Sequence, residues 1–256
     1  MGPITISSPS RQNTRAADLK ANIAVNLRAA AAVRSGVLAV TELFESFQGE
    51  GTRMGLPSFF VRLRYCDGTC VWCDTKYTWR KGGIGKQATV ADVLCAIKKS
   101  SAPNVVITGG EPLLQRKSLA TLLPQILSLP KSVEIETNGV HPPLAISGIQ
   151  YNVSPKLTGA RSNLSYDRRI LNLYRTEDSW FKFVIARPED FADAVAFAGQ
   201  HDLPPSRILF MPEGTTSKIL HERMAWLVPL IRKNFPAGRI TPRLHVELFG
   251  RARRGV

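Results

Sequence analysis

Along the chain, apolar residues occur in two rhythms. Short runs rich in Val, Ile, Phe and Tyr recur at Val37–Phe44, Phe59–Arg64, Val105–Thr108, Val133–Glu136, Tyr151–Val153, Phe181–Ile185, Arg207–Phe210 and Leu244–Glu247. Each is short enough for a strand and bounded by turn residues. Between them lie stretches of helical periodicity at Val90–Lys99, Arg116–Leu127, Pro188–Gln200 and Ser217–Asn234, with Pro229 a kink or break in the last. Thr89 and Asp92 open the first of these with N-cap chemistry. Strand and helix alternating in this way predict an α/β fold, a mostly parallel sheet with helices outside, its strands covered on both faces. Ahead of it, Ala16–Val33 has helix-forming content. The pattern divides the chain into an N-terminal basic extension, 1–36, with room to be flexible, and a single domain, 37–256.

The chain's 256 residues and 44% hydrophobic content suit a large buried core and exclude a disordered tail or a disulfide miniprotein. No stretch approaches the roughly 18 apolar residues of a membrane span, and a soluble, cytoplasmic protein is expected. The formal net charge is +14. The first 36 residues supply +4 of it, and Arg251, Arg253 and Arg254 in the tail supply +3. Half the excess therefore sits at the ends, which weakens the case for nucleic acid as a direct partner. The leader is poor in acids and rich in Ser, Ala and Arg, compatible with a transit peptide but equally with a plain extension.

Three of the four cysteines, Cys66, Cys70 and Cys73, form a CxxxCxxC segment just after a predicted strand. Several thiolates on one loop suit zinc or an iron–sulfur cluster. The ligand count separates them: a closed zinc site or a fully ligated 4Fe-4S cluster needs four protein ligands, and this loop offers three. Cys95 lies 22 residues beyond Cys73, and at 100° per residue it points away from the Val90, Val93, Leu94, Ile97 stripe, as a peripheral thiol. A cluster held at three corners keeps one iron open to a substrate or cofactor. The alternative is a zinc knuckle completed from elsewhere.

The CxxxCxxC loop resembles the signature of the radical S-adenosylmethionine superfamily. Phe47-Gln-Gly-Glu-Gly51, Phe59-Phe-Val-Arg-Leu63, Cys73-Asp-Thr75, Thr108-Gly-Gly-Glu-Pro112, Glu136-Thr-Asn-Gly139 and Ser154-Pro-Lys156 resemble one family within it, 7-carboxy-7-deazaguanine synthase of the queuosine pathway. The resemblance spans about residues 40 to 160 and is loose in the C-terminal third. It implies a partial (β/α) barrel of the radical S-adenosylmethionine type. It also implies a lyase that turns 6-carboxy-5,6,7,8-tetrahydropterin into 7-carboxy-7-deazaguanine with loss of ammonia, through a 5′-deoxyadenosyl radical. The implied cofactors are a 4Fe-4S cluster on Cys66, Cys70 and Cys73, S-adenosyl-L-methionine and Mg2+.

The same resemblance assigns Trp72, Asp74, Gly110, Glu136, Ser154 and Lys156 to S-adenosylmethionine, and Phe47, Gln48, Gly49, Glu50, Arg62 and Thr108 to the substrate. Thr75 by position alone reads as a helix cap; the resemblance makes it the magnesium ligand, reasonable for a hard cation with few protein ligands. Arg62 offers a planar fork suited to a carboxylate. Gly109 and Gly110 are read as letting backbone approach a ligand. Implied partners are a flavodoxin- or ferredoxin-like electron donor and a second copy in a homodimer. The sequence departs from the family pattern at Tyr65, where Gly usually precedes the first cysteine, and in its basic C-terminal tail. Competing functions are another radical enzyme of the superfamily, such as an activase or peptide-modifying enzyme, and a non-catalytic, metal-stabilised nucleic-acid-binding protein.

Overall fold

The computed structural model describes residues 11–80, 82–176 and 178–250. In chain order the main elements are α1 (Arg11–Ala31), β1 (Val37–Phe47), β2 (Pro57–Leu63), β3 (Lys86–Thr89), α2 (Val90–Lys99), β4 (Asn104–Gly109), α3 (Arg116–Leu127), β5 (Ser132–Thr137), β6 (Ile149–Val153), α4 (Arg168–Thr176), β7 (Asp178–Ile185), α5 (Pro188–Gln200), β8 (Ile208–Pro212), α6 (Ser217–Asn234), β9 (Arg239–Ile240) and α7 (Leu244–Phe249). They build one nine-stranded sheet in the order β3-β1-β2-β4-β5-β6-β7-β8-β9. From β2 to β9 every neighbouring pair is parallel, whereas β1 runs antiparallel to both β2 and β3. The sheet is an open, partial barrel with helices outside, and among the described residues no helix is long and apolar enough to cross a membrane.

The sheet has two unlike faces. Period-two alternation sends Phe59, Val61, Val105, Ile107, Val133, Ile135, Tyr151, Phe181, Phe183 and Phe210 into one apolar core beneath the helices. The intervening residues Asn104, Thr108, Glu134, Gln150, Asn152 and Lys182 are buried and polar, and they point inward. Both strand faces are therefore buried, as expected from the sequence, but they differ in chemistry: one packs under helices, and the other lines a polar interior.

Two expectations change. Leu244–Glu247, read as a strand among the short apolar runs, is the start of α7. Arg239–Ile240 already takes the edge position beside β8, and Pro242 follows, so no ladder remains for the segment to join. Pro229 does not break α6, which runs unbroken from Ser217 to Asn234. β3 and α4 went unread, β3 because Lys86–Thr89 is mostly polar and only its pairing with β1 makes it a strand. Helix α2 matches its prediction: Thr89 and Asp92 form a reciprocal capping box, Val90, Val93, Leu94 and Ile97 are buried, and Cys95 is exposed. The helix expected at Ala16–Val33 is α1, five residues longer at its start and two shorter at its end. Residues 1–10 and the arginines of the C-terminal tail lie outside the described residues.

Candidate active site

The parallel strands deliver their outgoing loops to one end of the barrel. The cysteine loop leaves β2, Gly109-Gly110-Glu111 leaves β4, Thr137-Asn138-Gly139 leaves β5, and Ser154-Pro155-Lys156 leaves β6. The Gln48–Gly51 loop is different. Because β1 is antiparallel, with Phe47 opposite Pro57, this loop departs from the far end and folds inward. Both sets meet in one cavity of about 290 Å³, and every candidate residue named from the sequence lines it.

The glycine pair does not stand against a ligand first. Gly110 N–H donates to the Leu63 carbonyl at 3.1 Å and Glu111 N–H to the Tyr65 carbonyl at 2.8 Å. A Cβ on Gly110 would stand 1.9 Å from the Tyr65 oxygen, and one on Gly109, whose φ is 138°, 2.2 Å from that of Leu63. The pair lets β4 close on the root of the cysteine loop. Tyr65 itself has φ 74°, so the usual glycine suits a left-handed position there; a tyrosine carries a cost of about 1–2 kcal/mol. The Tyr65 N–H bond to Thr78 and its carbonyl bond from Glu111 hold it in place.

Glu111 clamps the rim from below. Its side chain is fully buried and accepts from Leu113 N at 3.0 Å, Thr137 Oγ1 at 2.9 Å and Asn138 N at 2.8 Å. Burial, then the Asp67 carboxylate, pushes its pKa up to about 7. Asp67, beside the first cysteine, accepts from Asn138 Nδ2 at 2.7 Å and pairs with His141 Nε2 at 2.8 Å. The β4, β5 and cysteine loops are thus tied through two carboxylates. Glu111→Gln is expected to destabilise the protein by about 1–3 kcal/mol, since an amide NH2 would replace an acceptor facing a backbone N–H. Urea unfolding measures this, and an unchanged midpoint would remove the clamp role.

Cys66, Cys70 and Cys73 are free and half-buried. Burial, then Asp67, pushes the Cys66 thiol well up, and burial raises Cys70. The positive charge of a bound metal would favour their thiolate forms. Among the described residues no group of three or more His, Cys, Asp or Glu is arranged to hold a single metal ion. The three thiols line one cavity, and soft sulfur donors on one loop are the chemistry an iron–sulfur cluster takes. Trp79 Nε1 donates to Cys73 Sγ at 3.4 Å.

Thr75 precedes a short helical turn, Lys76–Thr78, but makes no side-chain cap; its Oγ1 is 3.7 Å from Cys73 Sγ, in the cavity wall. The hydroxyl is not spent as the cap its position suggested, and the site fits a hard cation that takes one protein oxygen. Neighbouring carboxylates are engaged. Arg243 binds Asp74 and Glu50, and Lys182 also pairs with Glu50. Burial works against ionised Glu50, yet Lys182 and Arg243 outweigh it and hold its pKa far below the usual range. Likewise Arg243 overcomes burial to lower Asp74.

On the interior face Glu134 takes bonds from Gln48, Asn104 and Asn152. Glu136 accepts from Thr108 Oγ1 at 2.7 Å and Gln48 Nε2 at 3.3 Å. Lys156 Nζ donates to Ser154 Oγ at 2.9 Å. Arg62 Nε donates to Glu42 at 2.9 Å while its guanidinium lies 5.4 Å from the Phe44 ring centroid, which fixes the fork in the wall. Sequence reasoning missed Lys182, Arg243 and His245. Lys182 had a signal, as the lone charge in the period-two run Phe181–Ile185. Arg243 and His245 had none; they arrive because Leu244 N–H donates to Gly49 O at 2.8 Å, and only a glycine leaves room there, a Cβ on Gly49 falling 2.1 Å from His245 Nδ1.

The profile described as a 4Fe-4S single cluster domain matches residues 47–140. Two curated relatives carry the name 7-carboxy-7-deazaguanine synthase. That of Pyrobaculum aerophilum is 36% identical, over 84% of this chain and 96% of its own. That of Hyperthermus butylicus is 36% identical, over 82% of this chain and 92% of its own. Among solved structures, QueE from Escherichia coli matches at TM-score 0.66 and 26% identity, covering 86% of this chain and 98% of that one. SuiB of Streptococcus suis, bound to precursor peptide SuiA, shares the fold at TM-score 0.54 and 13% identity, covering 94% of this chain and 56% of that one.

Proposed function

From the premise that the chain belongs to the 7-carboxy-7-deazaguanine synthase family, we infer how its own residues serve the conversion of 6-carboxy-5,6,7,8-tetrahydropterin to 7-carboxy-7-deazaguanine. The protein is a radical S-adenosylmethionine enzyme acting in the supply of queuosine precursor. The observation that carries the reading is the meeting of the cysteine loop and the Gln48–Glu50 loop in one cavity although they enter from opposite ends. A metal-stabilised binding protein needs no such convergence, so that alternative is not favoured.

When bound, the cluster and S-adenosylmethionine supply hydrogen-atom abstraction from the pterin. Cys66, Cys70 and Cys73 would hold the cluster. Lys156 and Ser154, hydrogen-bonded to each other, stand at the cofactor side with Trp72, Asp74, Gly110 and Glu136. Arg62 presents its braced fork to the substrate carboxylate. Thr75 would hold a magnesium ion through its hydroxyl, while Arg243 engages Asp74 and Glu50. Gln48 and Thr108, both donating to Glu136, position the edge of the ring. Enclosure by the rim loops and by α7 excludes water while reactive species exist. A flavodoxin- or ferredoxin-like donor and a homodimer complete the reading.

The direct test is anaerobic incubation of the reconstituted protein with the carboxylated pterin, S-adenosylmethionine, Mg2+ and reductant. Formation of the deazapurine chromophore is expected; a fully loaded, folded protein that yields none would overturn the reading. In the same assay Thr75→Ala is expected to turn over slowly and to lose the response to added magnesium. Magnesium dependence equal to wild type would show that the hydroxyl is not a ligand.

A further inference from the structure

Helix α1 belongs to the extension that carries none of the motifs above, yet the structure connects it to the cluster loop. Asn26 on α1 is 4% exposed and its Nδ2 donates to Asn22 O at 2.8 Å and to the backbone carbonyl of Trp79 at 2.6 Å. Trp79 is 3% exposed, lines the cavity, and its indole N–H donates to Cys73 Sγ. Its backbone is held from the other side by Lys76 O. The helix also packs on the turn Pro112–Gln115, which follows Glu111. An indole donor on a cluster sulfur is reached from a helix more than 50 residues upstream.

We propose that Trp79 is a positioning residue that tunes the iron–sulfur cluster through Cys73, and that Asn26 on the N-terminal helix sets where the indole stands. The physical reason is electrostatic. Reduction adds negative charge that spreads onto the ligand sulfurs, so an N–H donor at Cys73 stabilises the reduced cluster more than the oxidised one and raises its potential. The donor has to be held, because a 3.4 Å N–H···S contact is lost if the ring swings; burial of the ring and the Asn26 bond to its own carbonyl hold it. This proposal rests on the assignment of Cys73 as a cluster ligand.

The test is a redox titration of full-length, reconstituted protein followed by electron paramagnetic resonance, with iron content measured in parallel. Trp79→Phe keeps an aromatic ring and removes the donor. Its midpoint should move to a more negative value, with the ratio of reduced to oxidised cluster at fixed poise falling about threefold, equivalent to ~28 mV at a tenfold change per 59 mV for one electron. Asn26→Ala keeps the indole and removes its anchor, and should shift the midpoint in the same direction by less. An unchanged midpoint in fully loaded Trp79→Phe overturns the tuning role, and an unchanged midpoint in Asn26→Ala overturns the part given to the helix. Should Trp79→Phe not fold, the Asn26→Ala midpoint decides. Cys73→Ala is the control: if it keeps a complete cluster, the ligand assignment fails and not the hydrogen bond.

Discussion

Alanine in place of any one of Cys66, Cys70 or Cys73 is expected to leave a folded protein that cannot cleave S-adenosylmethionine reductively. The loop supplies only three thiols, so each loss exposes a second iron and lets the cluster degrade. No replacement is at hand. Cys95 is exposed on α2, away from the face that helix packs inward, and none of the three cysteines belongs to the apolar core between sheet and helices. Folding and cluster loading should therefore separate: circular dichroism unchanged, iron sharply reduced, release of 5′-deoxyadenosine below detection. Cys95→Ala should retain full iron. Cleavage retained in any of the three variants would refute the ligand assignment, and iron lost in Cys95→Ala would mean that the fourth cysteine participates.

The second large effect is expected at a residue with no functional group. Gly110→Ala places a methyl 1.9 Å from the Tyr65 oxygen and 3.0 Å from Cys66 Cβ. The neighbour is backbone pinned by the Gly110–Leu63 and Glu111–Tyr65 bonds, so it cannot move without losing both. Overpacking and two stretched buried bonds together cost about 3–5 kcal/mol, and the displaced segment carries the first cluster ligand. Urea unfolding and iron stoichiometry should both fall. Gly199→Ala provides the contrast: it sits in α5 with nothing within 4 Å of the new methyl, and a gain of about 0.5–1 kcal/mol is expected there from helix propensity. Normal iron and an unchanged midpoint in Gly110→Ala would mean that the loop root is free to shift and that the close packing is incidental.

These two cases mark how far the residues could be read. The cysteine count already implied an open corner, and the motif around Gly110 pointed to the site. That the glycines serve loop-on-loop packing before any ligand needed the partner backbone. Thr75 shows the same division: position suggested a cap, and only the structure shows the hydroxyl uncapped beside Cys73.

What the amino-acid order determined by itself was local or countable: helix starts such as the Thr89 box, the period-two runs Val133–Glu136 and Phe181–Ile185, and three thiols on one short loop. These follow from side-chain direction and ligand number, which need no distant partner. Tertiary structure alone decided which strand face became a polar interior, that the Gln48 loop enters from the opposite end because β1 is antiparallel, and that Arg243, His245 and Asn26 reach the site. Such contacts join positions 50 to nearly 200 residues apart. No periodicity in the chain encodes them, because they exist only once burial of the apolar face has closed the sheet and brought its loops and termini together.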